Sequence, residues 1–317
     1  MIKNVAAPLA APLPCVLIGG WLGAGKTTLV NQLLRQAGGL RLAVLVNDFG
    51  DLGLDADLIT GASGEVLELA GGCVCCSYGA DLIGTLRRVT AREPRPDALL
   101  LETSGVADPA AVARSLTLLP AIRRNGTVVL ADAPRLAALQ ADAYVGDTVR
   151  AQLAAADLLL LNKVDGLDAA ALAALRRSLP AVRTVETVQA ALPIEVVLGL
   201  GFGTDTGTGT DTGTDTDTDT PAPQALRAPA AAAGRFVSRS RHLDGPQDVA
   251  ALVGQLTAAG SGVLRAKGLL TDADGRRLLL QVVGRRAQLA PAPAAALGPD
   301  RLAVIGLAGS CNGPPWT

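Results

Sequence analysis

Gly19-Gly20-Trp21-Leu22-Gly23-Ala24-Gly25-Lys26-Thr27-Thr28, a glycine-rich segment near the N-terminus, determines what kind of sheet this chain builds. The strand-like apolar run Cys15–Ile18 precedes it, and Leu29–Gln36 follows with a helical pattern of apolar residues. Gly20–Thr27 fits the Walker A pattern in the strand–loop–helix context that the motif requires. The sequence therefore predicts a phosphate-binding loop.

The side chains of this loop match the chemistry of a bound triphosphate. Its glycines let backbone amides turn toward phosphate oxygens, because no Cβ obstructs them. We expect Lys26 to reach the β- and γ-phosphates and the Thr27 hydroxyl to hold Mg²⁺. The residues assigned to the nucleotide in this segment are Gly20, Gly23, Ala24, Gly25, Lys26, Thr27 and Thr28.

A second motif indicates which base is bound. The apolar run Ala156–Leu161 reads as a buried strand that leads into Asn162-Lys163-Val164-Asp165. The Asp165 carboxylate can accept hydrogen bonds from the guanine N1–H and amino group, which adenine does not offer in that arrangement. Asn162 and Lys163 are expected to brace the loop and cover the base. The motif favours GTP over ATP.

Acidic residues follow two further predicted strands. Leu42–Val46 leads toward Asp48, and Ala98–Leu101 leads into Glu102. Ligands of doubly wound sheets bind at the carboxyl ends of the strands, so both acids are candidates for Mg²⁺ ligation or for orienting the attacking water. The alternative is that they cap helices. Gly105 could place its amide near the γ-phosphate.

Three of the five cysteines, Cys73, Cys75 and Cys76, fall within four positions after two glycines. Thiolates favour Zn²⁺, Cu⁺ or Co²⁺ over Mg²⁺, and three of them leave a tetrahedral site open. Water, a carboxylate such as Glu68 or Asp51, or a partner side chain could complete it. The alternatives are three buried small side chains, or a redox pair formed by Cys75 and Cys76.

Composition excludes some classes of function. The 317 residues include 28 Lys and Arg against 29 Asp and Glu, a net charge of −1, so no nucleic-acid partner is expected. Apolar runs such as Leu158–Leu161 are too short to cross a bilayer, so no membrane partner is expected. The odd number of cysteines indicates free thiolates in a reducing cytoplasm. Cys15 and Cys311 read as packing or tail residues.

The pattern along the chain predicts two folded parts with a linker between them. We expect an α/β fold of the P-loop NTPase type, with a doubly wound, mostly parallel sheet, followed by a small α/β C-terminal domain. The predicted segments are a flexible leader at 1–13, the nucleotide domain at 14–200, a linker at 201–234, the second domain at 235–310 and a tail at 311–317. Gly203–Thr220 contains only Thr, Asp and Gly, the composition of a spacer.

Together these motifs resemble the CobW-like GTPase family, relatives of the metallochaperone GTPases UreG and HypB. The resemblance covers roughly residues 14–200 and continues into the second part, where it implies a short sheet covered by helices such as Asp248–Ala258 and where Arg301–Gly306 is strand-like. The segments that carry it are Gly20–Thr28, Asn47–Gly53, Glu68–Cys76, Leu101–Pro109, Asn162–Asp165, Gly262–Gly268, Gln281–Arg286 and Arg301–Gly306. One departure is that Gly203–Thr220 lacks the histidine-rich tract that many members carry.

The resemblance implies a GTPase that uses Mg²⁺, binds zinc or cobalt through the three cysteines and delivers the metal to a client protein. Under this hypothesis GTP orders Asn47–Asp55 and the cysteine loop, and hydrolysis releases the metal. The alternatives are a zinc-sensing regulatory GTPase, cobalt delivery for cobalamin synthesis and a small-molecule P-loop kinase. A homodimer is possible.

Overall fold

A computed structural model describes residues 11–46, 64–68, 80–199, 232, 234–292 and 298–308. For 64–68, 80 and 81 it describes the backbone only. The predicted spacer Gly203–Thr220, the tail and most of the leader lie outside the described residues.

Within the described residues, seven parallel strands form one sheet in the order β3-β2-β4-β1-β5-β6-β7. The central strand is the one that precedes the glycine-rich loop, because β1 pairs with β4 on one side and with β5 on the other. The strands are β1 (Leu13–Gly20), β2 (Leu42–Val46), β3 (Gly64–Glu68), β4 (Ala98–Glu102), β5 (Ile122–Asp132), β6 (Leu158–Asn162) and β7 (Arg183–Thr187).

Helices cover both faces of this sheet. The helices are α1 (Lys26–Arg35), α2 (Ala80–Thr90), α3 (Pro109–Leu116), α4 (Ala133–Ala141), α5 (Gly146–Ala154), α6 (Ala169–Ser178) and α7 (Ile194–Leu198). Leu29 and Leu33 of α1 pack with β1 residue Ile18, whereas Leu86 of α2 packs with Leu17 on the opposite face. This arrangement confirms the predicted doubly wound α/β fold, and the sheet is parallel throughout its described strands.

The carboxyl ends of the central strands meet at one edge of the sheet. Ile18 of β1 lies beside Glu102 at the end of β4, and Gly20 lies beside Leu130 of β5. On the other side, Asp132 at the end of β5 pairs with Asn162 at the end of β6. The strand order reverses at β1, and ligands of open α/β sheets bind at such a point.

In the described part of residues 234–308, five antiparallel strands form a second sheet in the order β11-β10-β9-β12-β8. They are β8 (Phe236–His242), β9 (Val263–Thr271), β10 (Arg277–Val283), β11 (Arg286–Pro291) and β12 (Arg301–Leu307). Helix α8 (Val249–Thr257) begins after Asp248, whose side chain accepts from the Ala251 amide, and packs on one face. The predicted helix Asp248–Ala258 and the strand-like segment Arg301–Gly306 therefore agree with the structure, whereas Gln281–Arg286 spans the end of β10, a turn and the start of β11.

The second sheet lies against the amino ends of the parallel strands. Arg265 of β9 is 3% exposed and donates to the carbonyls of Val196, Val197 and Asn125. Arg183, the first residue of β7, donates to Ala258 O and Ala259 O, each at 2.9 Å. The nucleotide motifs thus lie at the carboxyl ends of the parallel strands, and the contact with the second sheet lies at their amino ends.

Candidate nucleotide site

Two positions of the glycine-rich loop have a backbone conformation that only glycine adopts without strain. Gly20 has φ 130° and Gly25 has φ 105°. A Cβ on Gly20 would lie 2.1 Å from Leu130 O, and one on Gly25 would lie 2.5 Å from Asn162 Nδ2. Gly25 is also the N-cap of α1, so the loop opens onto a helix N-terminus, where backbone N–H groups favour anions. The loop is a cradle suited to phosphate.

Lys26 and Thr27 follow as the first residues of α1. The Lys26 ammonium donates to Gly20 O at 3.0 Å, which holds its side chain across the loop. The Thr27 hydroxyl lies 3.3 Å from Glu102 Oε1, and the Glu102 carboxylate is only 2% exposed. A hydroxyl and a carboxylate are oxygen donors of the kind that Mg²⁺ prefers, so these residues fit that ion. In the same segment Ala24 is buried and Thr28 is exposed.

Asn162 ties three parts of the site together. Its Nδ2 donates to Ala24 O at 2.9 Å, in the phosphate loop. Its Oδ1 accepts from the Ala190 amide at 2.8 Å and from the Thr187 hydroxyl at 3.2 Å. Because Asn162 is buried, these bonds satisfy an amide that would otherwise be costly to bury.

Lys163 adopts a left-handed backbone, with φ 63°. Its ammonium donates to Gly23 O at 2.7 Å and to Asp132 Oδ2 at 2.8 Å. The Lys163 side chain therefore lies over the phosphate loop. Asp165 lies in a short 3₁₀ helix, Val164–Gly166, and is exposed, so its carboxylate is accessible to a base.

Two residues that hold this site were missed by the sequence analysis. Asp132 is buried at the end of β5 and is the ionic partner of Lys163. Gln152 of α5 is buried and donates to Gly105 O at 3.0 Å and to Ala107 O at 2.9 Å. The Asp132 signal was available, because an apolar strand ends in an acid there, as it does at Glu102. Gln152 carries no local signal.

Gly105 lies directly against the phosphate loop. A Cβ on Gly105 would lie 2.9 Å from the backbone nitrogen of Leu22 and closer still to the Leu22 side chain. Gly105 is therefore a neighbour of the loop, and the placement of its amide near the γ-phosphate stays a prediction. Asp108, three residues later, caps α3 by accepting from the Ala110 amide at 2.8 Å.

The thiolate motif is not part of the described structure. Cys73, Cys75, Cys76, Asp48 and Asp51 lie outside the described residues, and Glu68 is described by its backbone alone. Among the described residues, no group of three His, Cys, Asp or Glu side chains could hold a metal ion.

The expectation for Cys15 can be compared with the structure. Cys15 is fully buried in the core, and burial raises the pKa of its thiol, as expected of a packing residue. Cys311 lies outside the described residues. No helix in the described ranges has both the length and the apolar character needed to span a membrane.

The fold and the glycine loop define a P-loop nucleotide-binding protein. The sequence profile of the CobW/HypB/UreG nucleotide-binding domain matches residues 14–189. A second profile, the cobalamin synthesis protein CobW C-terminal domain, matches residues 236–310. This chain belongs to the CobW/HypB/UreG family.

Curated relatives are identical to this chain at about a third of the aligned positions. The zinc chaperone CobW of Pseudomonas aeruginosa is 36% identical over 226 residues, which cover 60% of each chain. The zinc-regulated GTPase metalloprotein activator 1 of Schizosaccharomyces pombe is 33% identical over 178 residues, 53% of this chain and 43% of that protein. The chain thus spans between two fifths and three fifths of these relatives.

The solved structures that match this chain are more distant in sequence. Zinc-bound YjiA GTPase from Escherichia coli is 22% identical, with a TM-score of 0.40, and the match covers 94% of this chain and 95% of that one. HypB from Helicobacter pylori, in complex with nickel, is 17% identical with a TM-score of 0.38, over 56% and 80% of the two chains.

Proposed function

We propose that this chain is a GTP-hydrolysing metallochaperone that carries zinc and transfers it to a client protein. The observation that supports binding of GTP and Mg²⁺ is the contact between the Thr27 hydroxyl and the Glu102 carboxylate. This contact lies beside a loop whose glycines have positive φ. Family membership and the names of the relatives, which include zinc chaperones and zinc-regulated GTPases, support the proposed transport of zinc.

In this proposal the phosphates lie in the loop from Gly20 to Thr27. Backbone amides and the N-terminus of α1 face the phosphate oxygens, and Lys26 exchanges its carbonyl partner Gly20 O for the β- and γ-phosphates. Thr27 and Glu102 would hold Mg²⁺, which supplies positive charge at the phosphates when bound. Glu102 also orients the attacking water, a role shared with Asp48.

Guanine selectivity in this proposal rests on Asp165. Asn162 fixes the position of the loop by bonding both Ala24 O and the Ala190 amide, and Lys163 is held over Gly23 by Asp132. The exposed Asp165 carboxylate then accepts from the guanine N1–H and amino group. We expect the Asp165→Ala variant to lose its preference for GDP over ADP, measured by competition with a fluorescent nucleotide.

Zinc is the cargo, bound by Cys73, Cys75 and Cys76. Three thiolates leave one coordination position open, which suits a site that must give up its metal better than a closed structural site does. Coupling to the nucleotide is assigned to Asn47–Asp55, the segment that directly follows β2 and precedes β3 and the cysteines in the chain. Cobalt is the second metal that these ligands suit.

The test is the zinc affinity of the purified protein with GDP and with a non-hydrolysable GTP analogue. We expect the two affinities to differ by at least about tenfold, which corresponds to a coupling free energy of about 1.4 kcal/mol. A Cys73/Cys75/Cys76→Ser variant should lose zinc in both states but still bind GTP. The matched control is Cys311→Ser, which removes a thiol outside the motif.

Equal zinc affinity in the two nucleotide states would contradict the coupling. Transfer to a client is tested separately, by incubating the zinc-loaded protein and GTP with a zinc-requiring apo-enzyme and following its metal content. Nucleotide-dependent zinc binding without transfer to any apo-enzyme would instead support a zinc-sensing switch.

A further inference from the structure

A groove of about 650 Å³ runs along the boundary between the two sheets. It lies between the start of β5, helix α3 and strand β11, at the amino ends of the parallel strands. Its size falls within the range of pockets that bind ligands. The residues that give it its character are Arg114, Arg123, Arg124, Arg286 and Gln288.

The groove carries a surplus of positive charge. Arg124 and Arg286 share one carboxylate, Asp157, at 3.7 and 3.5 Å. Arg123 donates to the neutral side chains of Gln281 and Asn125 and, within the described residues, has no carboxylate partner. Arg114 lies 3.7 Å from Asp108, in a largely exposed pair that contributes little. Four arginines therefore face two carboxylates.

Strand β11 forms one wall of the groove and is an edge of its sheet in the described part of the chain. Residues 288–291 of this strand are exposed. An edge strand presents unpaired backbone groups, and an extended peptide can add to it by backbone hydrogen bonding. Leu289, on this strand, is 47% exposed, which is unusual for a large apolar side chain in this structure.

The two faces of β11 differ in chemistry. Arg286 and Gln288 line the groove, whereas Ala287 packs against the core beneath α8. Because side chains alternate along a strand, Leu289 lies on the same face as Ala287. A strand added to this edge would place every second side chain over the arginines and the intervening ones beside Leu289.

We propose that this groove binds an extended segment of a partner protein in which acidic and apolar residues alternate, added as a strand to β11. The acidic side chains would pair with Arg123, Arg124 and Arg286, and the apolar ones would cover Leu289. The chain's own acidic segment, Gly203–Thr220, has only Gly, Thr and Asp, so it offers no side chain to cover Leu289. The charge and the apolar edge together favour a partner.

The test measures binding of a fluorescein-labelled peptide, four Glu-Val repeats, to the full-length protein without nucleotide or added metal. Under these conditions the result does not depend on the proposed GTPase or zinc-transfer activity. We expect the Glu-Val peptide to bind and the matched Gln-Val peptide not to bind. Affinity should fall as KCl is raised, because ion pairs near the surface are screened by salt.

Variants at one exposed position give opposite predictions. Gln288→Glu should weaken peptide binding about threefold, because it adds a negative charge that repels the acidic peptide, and Gln288→Lys should strengthen it about threefold, because it adds a positive charge that attracts it. Arg123→Gln should weaken binding about tenfold, since it removes a charge with no carboxylate partner in the described residues. Arg177→Gln, on the exposed face of α6, is the control and should have no effect.

Hydrogen exchange distinguishes strand addition from simple charge attraction. The peptide should slow exchange of the β11 amides, and binding without that protection would overturn the proposal. Equal binding of an oligothymidylate of the same charge would show a general polyanion site and would also overturn it. The same holds if replacing Asp205, Asp211, Asp215, Asp217 and Asp219 by Asn raises peptide affinity tenfold or more, which would assign the groove to the chain's own segment.

Discussion

Strand β5 has a polar region at each end, and the two regions have different hydrogen-bond partners. At its carboxyl end, Asp132 pairs with Lys163 beside the loop whose glycines Gly20, Gly23 and Gly25 have positive φ. At its amino end, the carbonyl of Asn125 accepts from Arg265, which is buried between the two sheets. Burial lowers the pKa of Arg265 to about 9, so the guanidinium remains charged at neutral pH.

The difference shows how one strand serves binding at one end and assembly at the other. Arg265 directs its donors at backbone carbonyls of the first domain, which leaves little capacity for a ligand. At the carboxyl end, by contrast, Lys26 and Thr27 bond groups that a triphosphate and Mg²⁺ can replace or join. Substitutions at the two ends should therefore separate stability from nucleotide binding.

The largest effect is expected from Arg265→Met. Three buried carbonyls lose their donor, so the free energy of unfolding should fall by about 3–5 kcal/mol, measured by urea denaturation. Arg177→Met, a change of the same type on an exposed helix face, should alter it by less than about 0.5 kcal/mol. Similar values for the two variants would show that the buried guanidinium does not hold the two sheets together.

Gly25→Ala should have the next largest effect, at the opposite end. The new Cβ would lie 2.5 Å from Asn162 Nδ2 on a left-handed backbone, so we expect the dissociation constant for GDP to rise about a hundredfold or more. Gly254→Ala is the matched control, because space is open around it in α8. It should raise stability by about 0.5–1 kcal/mol and leave GDP affinity unchanged.

Gln152→Leu tests a positioning role rather than nucleotide binding. The carbonyls of Gly105 and Ala107 lose a buried donor, so the segment that lies against the glycine-rich loop should become less ordered. We expect kcat for GTP hydrolysis to fall about tenfold while the dissociation constant for GDP changes less than about twofold. Gln255→Leu, on an exposed part of α8, should change neither quantity. A parallel loss of GDP affinity would contradict the role.

Asp132→Asn should give the smallest of these effects. It keeps the shape of the side chain but removes the charge that holds Lys163, so GDP binding should weaken about fourfold. Asp147→Asn breaks an exposed pair with Arg150 and should leave GDP binding unchanged. Isothermal titration with GDP checks both variants, and an unchanged affinity for Asp132→Asn would mean that Lys163 is placed by Gly23 O alone.

Strands β1, β2, β4 and β6 were predicted to within two residues at either end, whereas no strand was predicted for β5, which carries Asp132. One of the boundary differences has a visible cause. The predicted strand Ala156–Leu161 begins in the structure at Leu158. The reason is that Asp157 turns its carboxylate to accept from the Thr127 amide at 2.8 Å, and its own amide bonds Thr127 O. A residue thirty positions away in the chain therefore sets where the strand starts.

The sequence by itself determined the glycine loop, the order along the chain of the motifs that follow the parallel strands, and the family. These depend on local rules: left-handed backbone needs glycine, a buried strand needs an apolar run, and a phosphate loop needs Lys and Thr at fixed spacing. Only the tertiary structure decided that Asp132 holds Lys163, that Gln152 braces Gly105 and that Arg265 joins the two sheets. Each of those contacts links residues far apart in the chain, so its energy exists only after the sheet has brought them together.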